Sequence, residues 1–229
     1  DEVYQFDLSR QPTHSHSAQP AFINIQQFYI EWYLVDRIIE LGTVDLRWKS
    51  RVTGIALEDG IAHLTVDTPA VSYSIRARHV ICATGVWTGE VQAMIGPGMA
   101  PLKVRASKGI HLVVPRDRID SETGVILRTE KSVLFIIPWD EHWIIGTTDT
   151  DWGLDLAHPA ATSADIDYLL DTVNAVLVQP LSRDDIDGVY AGLRPLISGD
   201  EGDATTKLSR EHVVANPVPG LVLVAGGKY

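Results

Sequence analysis

The sequence predicts an α/β layer joined to an α+β layer built on an antiparallel sheet, and three observations predict it. His79-Val-Ile-Cys-Ala83 before Thr84-Gly85, and Leu221-Val-Leu-Val-Ala225 before Gly226-Gly227, are short apolar runs ending in glycine. Such runs read as buried strands whose ends let a backbone approach a ligand closely. Longer strand-like segments fill residues 103–147 and recur from 187 to 215. Helical periodicity over 24–41 and 163–177 supplies helices to lie beside those strands.

Taken in order, residues 10–20 form a polar loop. Its His14 and His16 have no carboxylate or cysteine at ligand spacing and read as solvated side chains. Asn24 is placed to cap a helix running to Leu41, with Ile30, Leu34, Ile38 and Leu41 on one face. Short strands follow at Val44–Trp48, Arg51–Leu57, Ile61–Val66 and Val71–Ala77. Asp59-Gly60 between alternating runs is a hairpin signal. After Pro101 the strands lengthen: Lys103–Val114, Gly124–Arg128, Ser132–Trp139 and His142–Thr147. Ser163 is placed to cap a helix to Leu177, with Ile166, Leu169, Leu170 and Val173 inward. Asp187–Leu196 and Thr206–Ala215 return to strand, and we expect them to share one sheet with 103–147, backed by the Ser163 helix.

Composition narrows the function classes. The chain has 229 residues, 45% of them hydrophobic and 21% charged, as in ordinary globular proteins. Thirty acidic against 19 basic residues give a net charge of −11, which argues against a nucleic-acid partner. The single cysteine, Cys82, makes no internal disulfide and suits a reducing cytoplasm. No run approaches the length of a membrane-spanning helix. The opening Asp1-Glu-Val-Tyr-Gln-Phe6 reads as an internal start, so the chain is expected to be truncated.

Against that acidic background a few cations stand beside glycines or on apolar strands. They occur in Tyr190-Ala-Gly-Leu-Arg194-Pro-Leu196, Leu208-Ser-Arg210 and Gly226-Gly-Lys228. Burying a lone charge is costly unless an anion meets it, so this pattern suggests a site for a small phosphate or carboxylate. Arg194 and Arg210 are expected to point into one cleft. Thr148 and Asp149 end a strand beside it, and Trp87, Trp139 and Trp143 read as core.

Residues 83–229 resemble the FAD-dependent glycerol-3-phosphate dehydrogenases. The resemblance rests on Ala83-Thr-Gly-Val-Trp87, Ser107-Lys-Gly-Ile-His111-Leu-Val-Val-Pro115, Ile137-Pro-Trp139 and Ile145-Gly-Thr-Thr-Asp149. It continues through Asp165–Leu170, Leu181–Ile186, Tyr190–Leu196, Leu208–Arg210 and Ala225–Lys228. Residues 1–80 resemble instead the aromatic-ring flavin monooxygenases, through Val3–Leu8, Phe22–Gln27, Val44–Trp48, Val52–Gly54 and Leu64–Thr68. The chain therefore reads as joined near residue 80. Natural fusion, artefact and design all remain open, as do three functions: dehydrogenase, aromatic hydroxylase, or a chimera without flavin.

The resemblance implies a partial FAD-binding Rossmann-type domain over residues 1–95, an antiparallel-sheet substrate domain over 96–215, and a return strand over 216–229. FAD is the implied cofactor, although the G-x-G-x-x-G fingerprint that holds its pyrophosphate is absent from the sequence. By resemblance, Arg194 and Arg210 bind the phosphate or hydroxyl oxygens of glycerol 3-phosphate, and Lys228 sits at the flavin N1–C2=O edge. Val52, Ala83, Thr84, Gly85, Trp87, Gly226 and Gly227 line the cofactor. A quinone acceptor, peripheral attachment to the inner face of the cell membrane and a homodimer are further implications.

Overall fold

The computed structural model describes residues 25–96, 102–129, 133–197, 208 and 211–227. The chain divides into two compact units, residues 1–50 and 51–229. Within the first, helix α1 spans Gln27–Leu41 and ends at Gly42, whose positive φ of 61° lets its N–H reach the carbonyls of Ile38 and Ile39. Its N-cap is Gln26, without a side-chain cap bond, while Asn24 lies outside the described residues. None of the α1 residues is buried, and Ile30, Leu34 and Leu41 are exposed rather than packed along one face. Residues 44–48 form no strand; Trp48 and Lys49 make a turn, with Lys49 at φ 54°. Alternation predicts extended backbone, but a strand also needs a neighbour to complete its ladder, and none of the sheets among the described residues takes in 44–48.

Among the described residues, the second unit carries three sheets. Strands β1 (Arg51–Glu58), β2 (Ile61–Asp67) and β3 (Ser72–Ala77) form an antiparallel meander. Asp59 and Gly60 join β1 to β2 with φ values of 51° and 74°, the pair of positive angles that matches the twist of a tight hairpin. Strand β4 (Val80–Cys82) leads through a 3-10 turn at Gly85–Trp87 into α2 (Thr88–Ile95).

The largest sheet is antiparallel, with strand order β10-β5-β8-β7-β6 and β9 paired to β5. Its strands are β5 (Val104–Pro115), β6 (Val125–Arg128), β7 (Val133–Trp139), β8 (His142–Gly146), β9 (Thr150–Asp151) and β10 (Gly188–Ile197). Helix α3 (Ser163–Asn174) packs Leu169, Leu170 and Val173 into one core with Ile110, Leu112, Val114, Ile136, Trp143 and Ile145. The cap of α3 is Thr162, one residue before the expected Ser163. Thr162 Oγ1 accepts from Asp165 N–H at 3.3 Å while the Asp165 carboxylate accepts from Thr162 N–H at 2.8 Å. Of the three tryptophans read as core, Trp143 is fully buried, whereas Trp87 and Trp139 are 42% and 39% exposed.

A further expectation is overturned. Strand β11 (His212–Val218) does not join the large sheet. It pairs antiparallel with β12 (Leu221–Gly226), which runs parallel to β4. Alternation and length fix that a segment is a strand, but not which neighbour completes its hydrogen-bond ladder.

Candidate functional site

One face of the large sheet packs on α3, and the opposite face presents the site. Strands β5 and β10 pair without a bulge, placing Tyr190 opposite His111, Gly192 opposite Gly109 and Arg194 opposite Ser107. Because side chains alternate, Tyr190, Gly192 and Arg194 share a face with His111 and Gly109, away from the buried Ile110 and Leu112. His111 also lies opposite Gly146 of β8.

Two glycines make this face possible. A Cβ on Gly109 would sit 2.3 Å from Nη2 of Arg194 and 2.6 Å from Oγ1 of Thr147, so the guanidinium occupies the space of a missing side chain. A Cβ on Gly146 would sit 2.3 Å from Cδ2 of His111, so the imidazole lies across that glycine. Arg194 donates from Nη2 to Thr147 Oγ1 at 2.9 Å and from Nη1 to the Thr148 carbonyl at 3.2 Å. Buried Thr148 in turn accepts the Ile110 N–H at 3.1 Å, and Ser107 donates to Asp149 at 2.5 Å. The strand-end residues Thr148 and Asp149 thus support the Arg194 platform.

His111 stacks on Tyr190 with ring centroids 4.9 Å apart and planes 15° from parallel. Its pKa is pushed down to about 4, first by burial and then by the Arg194 charge, so the ring is neutral at physiological pH. Burial also pushes the Tyr190 phenol up. A guanidinium beside a neutral imidazole pairs an anion site with a group able to accept a proton.

The sheet is fastened to α3 from behind. Lys108 Nζ contacts the Asp165 carboxylate at 2.5 Å, donates to the Ala160 carbonyl at 3.2 Å and lies 4.9 Å from the Trp152 ring centroid. Both ionic side chains are about 95% buried, at 4% and 5% exposure. Burial alone would raise the Asp165 carboxyl, but the Lys108 ammonium and the Thr162 donors outweigh it and hold it low.

Of the residues assigned to the cofactor, Ala83, Thr84, Gly85, Gly226 and Gly227 lie at the ends of two paired strands. Leu223 pairs in parallel with Cys82, so Ala83-Thr84-Gly85 and Ala225-Gly226-Gly227 leave the carboxyl ends of adjacent parallel strands. Open crevices at such ends are where α/β folds take ligands. Thr84 Oγ1 is buried without a hydrogen-bond partner among the described residues, and Gly85, Gly226 and Gly227 have φ values of 55°, 73° and 87°. The Gly85–Trp87 turn touches β5, β10 and β12, which brings this edge to the Arg194 strand. Val52 lies at a bulge in β1 and packs on the core of Ile55, Cys82, Val91, Leu221 and Leu223. Arg210 and Lys228 lie outside the described residues.

The resemblance named the segments that hold Arg194, His111, Tyr190, Lys108 and Asp165, but among these five it gave a role only to Arg194. The signal for His111 was its place in an apolar strand three residues after a buried lysine, a pattern that core packing explains equally well.

The FAD dependent oxidoreductase family matches residues 30–229. Glycerol-3-phosphate dehydrogenase 2 of Mycobacterium tuberculosis is 61% identical over 184 residues, covering 80% of this chain and 30% of that protein. Aerobic glycerol-3-phosphate dehydrogenase of Escherichia coli is 35% identical over 191 residues, covering 79% of this chain and 37% of that protein. Among solved structures, the glycerol-3-phosphate dehydrogenase of Bacillus halodurans complexed with FAD superposes with a TM-score of 0.69 at 30% identity, over 83% of this chain and 37% of that one. The chain therefore spans about a third of the length of these relatives. The family match runs without a break through residue 80, where the two resemblances meet.

Proposed function

This chain belongs to the FAD-dependent oxidoreductase family, and on that premise we propose that it supplies the substrate-binding face of an enzyme oxidising sn-glycerol 3-phosphate to dihydroxyacetone phosphate. The observation that carries the proposal is the placement of the Arg194 guanidinium and the neutral His111 ring on adjacent strands of one sheet face.

Arg194 binds the phosphate of the substrate through its planar fork, pre-oriented by Thr147 and the Thr148 carbonyl. Arg210 is assigned as a second phosphate ligand. His111 accepts the proton of the secondary hydroxyl. Without an anion, burial and Arg194 depress its basicity; a bound phosphate offsets the Arg194 charge and raises it toward the range useful at neutral pH. Tyr190 holds the ring plane, and the glycine beneath the ring fixes its lean toward β8.

The strand-end edge fits FAD. The orphaned Thr84 hydroxyl and the positive-φ glycines offer a donor and close backbone approach to a planar, polar-rimmed group. Ala83–Gly85, Trp87, Val52, Gly226, Gly227 and Lys228 are its assigned neighbours. Lys228 with the Gly226-Gly227 amides would favour negative charge at the ring edge. When bound, FAD supplies the acceptor for the hydride leaving the carbinol carbon. We assign a quinone as the onward acceptor. The domain division proposed is a cofactor layer formed with the β4–β12–β11 sheet and a substrate layer formed by the large sheet and α3.

The test is anaerobic addition of sn-glycerol 3-phosphate to the FAD-loaded protein. Loss of the oxidised flavin absorbance is expected with glycerol 3-phosphate and not with glycerol. Bleaching by NADPH in the presence of a phenol, and not by glycerol 3-phosphate, would establish an aromatic hydroxylase instead.

A further inference from the structure

Besides Gly188 at the start of β10, whose Cβ would rest against the Val113 side chain at 3.7 Å, three glycines lie in the rows of this sheet face, and the chain's own side chains account for two. Gly109 makes room for Arg194 and Gly146 for His111. The third, Gly192, has nothing within 4 Å of where its Cβ would stand, among the described residues, and its backbone is outside the positive-φ region that requires glycine. It sits within an unbulged strand, opposite Gly109, between Tyr190 and Arg194. Glycine weakens a strand interior relative to alanine, and here it stands at no turn or bulge that would require it.

We propose that Gly192 is the specificity-determining position of the substrate site, leaving open a slot that a small organophosphate occupies. The inference rests on the function proposed above. Alternate residues of a strand stand about 6.5–7 Å apart, so a side chain at 192 would project between the Tyr190–His111 stack and the Arg194 guanidinium. The phosphate engages Arg194, and the short carbon backbone carrying the hydroxyl crosses Gly192 toward His111. A bare phosphate needs only the Arg194 end. Position 192 therefore discriminates between ligands by what is attached to the anion.

The experiment is calorimetric titration of the 229-residue protein with sn-glycerol 3-phosphate and with inorganic phosphate, for the wild type, Gly192→Val and Arg194→Ala. Valine suits a strand, so Tm should stay level or rise. Gly192→Val should weaken glycerol 3-phosphate by at least about tenfold, the scale on which a filled pocket rejects a ligand group, with inorganic phosphate little changed. Arg194→Ala should weaken both. If Gly192→Val binds glycerol 3-phosphate like the wild type while Arg194→Ala loses it, the slot is wrong and the anion site stands. Equal loss of both ligands in Gly192→Val, with a lowered Tm, would mark a structural glycine and also overturn the inference. Wild-type protein that binds neither ligand would overturn the anion site and the slot together.

Discussion

At the scale of residues, the site couples one fixed cation to one depressed base. Arg194→Ala in the FAD-loaded enzyme should lower kcat/KM for glycerol 3-phosphate by about 2–4 kcal/mol in transition-state terms, and Arg194→Lys should recover only part, because a point charge replaces a planar fork. Steady-state kinetics decide it; an unchanged kcat/KM would remove Arg194 from the site. His111 carries a pH signature. Its pKa falls from 6.5 to about 4 on folding, so the unfolded chain takes up the proton first as the medium is acidified. The contribution to stability is intact above pH 6.5 and is lost progressively as pH falls toward 4. Thermal melts across that window should show His111→Gln losing less stability than wild type. Inorganic phosphate should raise the His111 pKa, read by NMR of the ring protons. Arg194 was legible in sequence because arginine before proline on an apolar strand is unusual. His111 was not, because a histidine among valines and leucines reads as core until the register sets it beside Tyr190 and Arg194.

At the scale of elements, α3 and β5 are pinned by charge as well as by apolar packing. Asp165→Ala would remove the capping box and strand the Lys108 ammonium in the interior, a loss expected to cost about 3–5 kcal/mol. Replacing Lys108 and Asp165 together by Met and Leu should cost far less, since no unpaired charge is left buried. Thr162→Ala should cost about 1 kcal/mol through the cap alone. Urea unfolding of the four proteins orders them, and a double variant as unstable as Asp165→Ala would show that the pair itself stabilises the fold. Gly226 behaves oppositely to Gly192. At φ 73°, with a Cβ position 2.4 Å from the Glu211 carbonyl, Gly226→Ala should destabilise by more than about 1 kcal/mol. The hairpin at Asp59-Gly60, the span of α3 and most strands of the large sheet were readable from periodicity and turn chemistry. Partnership was not: β11 has the alternation of a large-sheet strand yet pairs with β12.

At the scale of the molecule, the 229 residues contain no G-x-G-x-x-G turn, the element whose amides and helix N-terminus hold a pyrophosphate. Expressed as these residues alone, the protein is expected to leave gel filtration with far less than stoichiometric FAD. A yellow, stoichiometric flavoprotein would show that the strand-end edge suffices. The sequence by itself determined the element types, the family resemblance and the cation-bearing strands. These depend on local periodicity, turn residues and motif order, all carried by neighbours along the chain. The tertiary structure alone decided which strands pair, that His111 and Arg194 share a face, and that Gly109 and Gly146 yield their space to those side chains while Gly192 yields its space to none of the described residues. Register sets those relations. It is fixed by hydrogen bonds and packing between segments distant in sequence, which no local pattern of residues encodes.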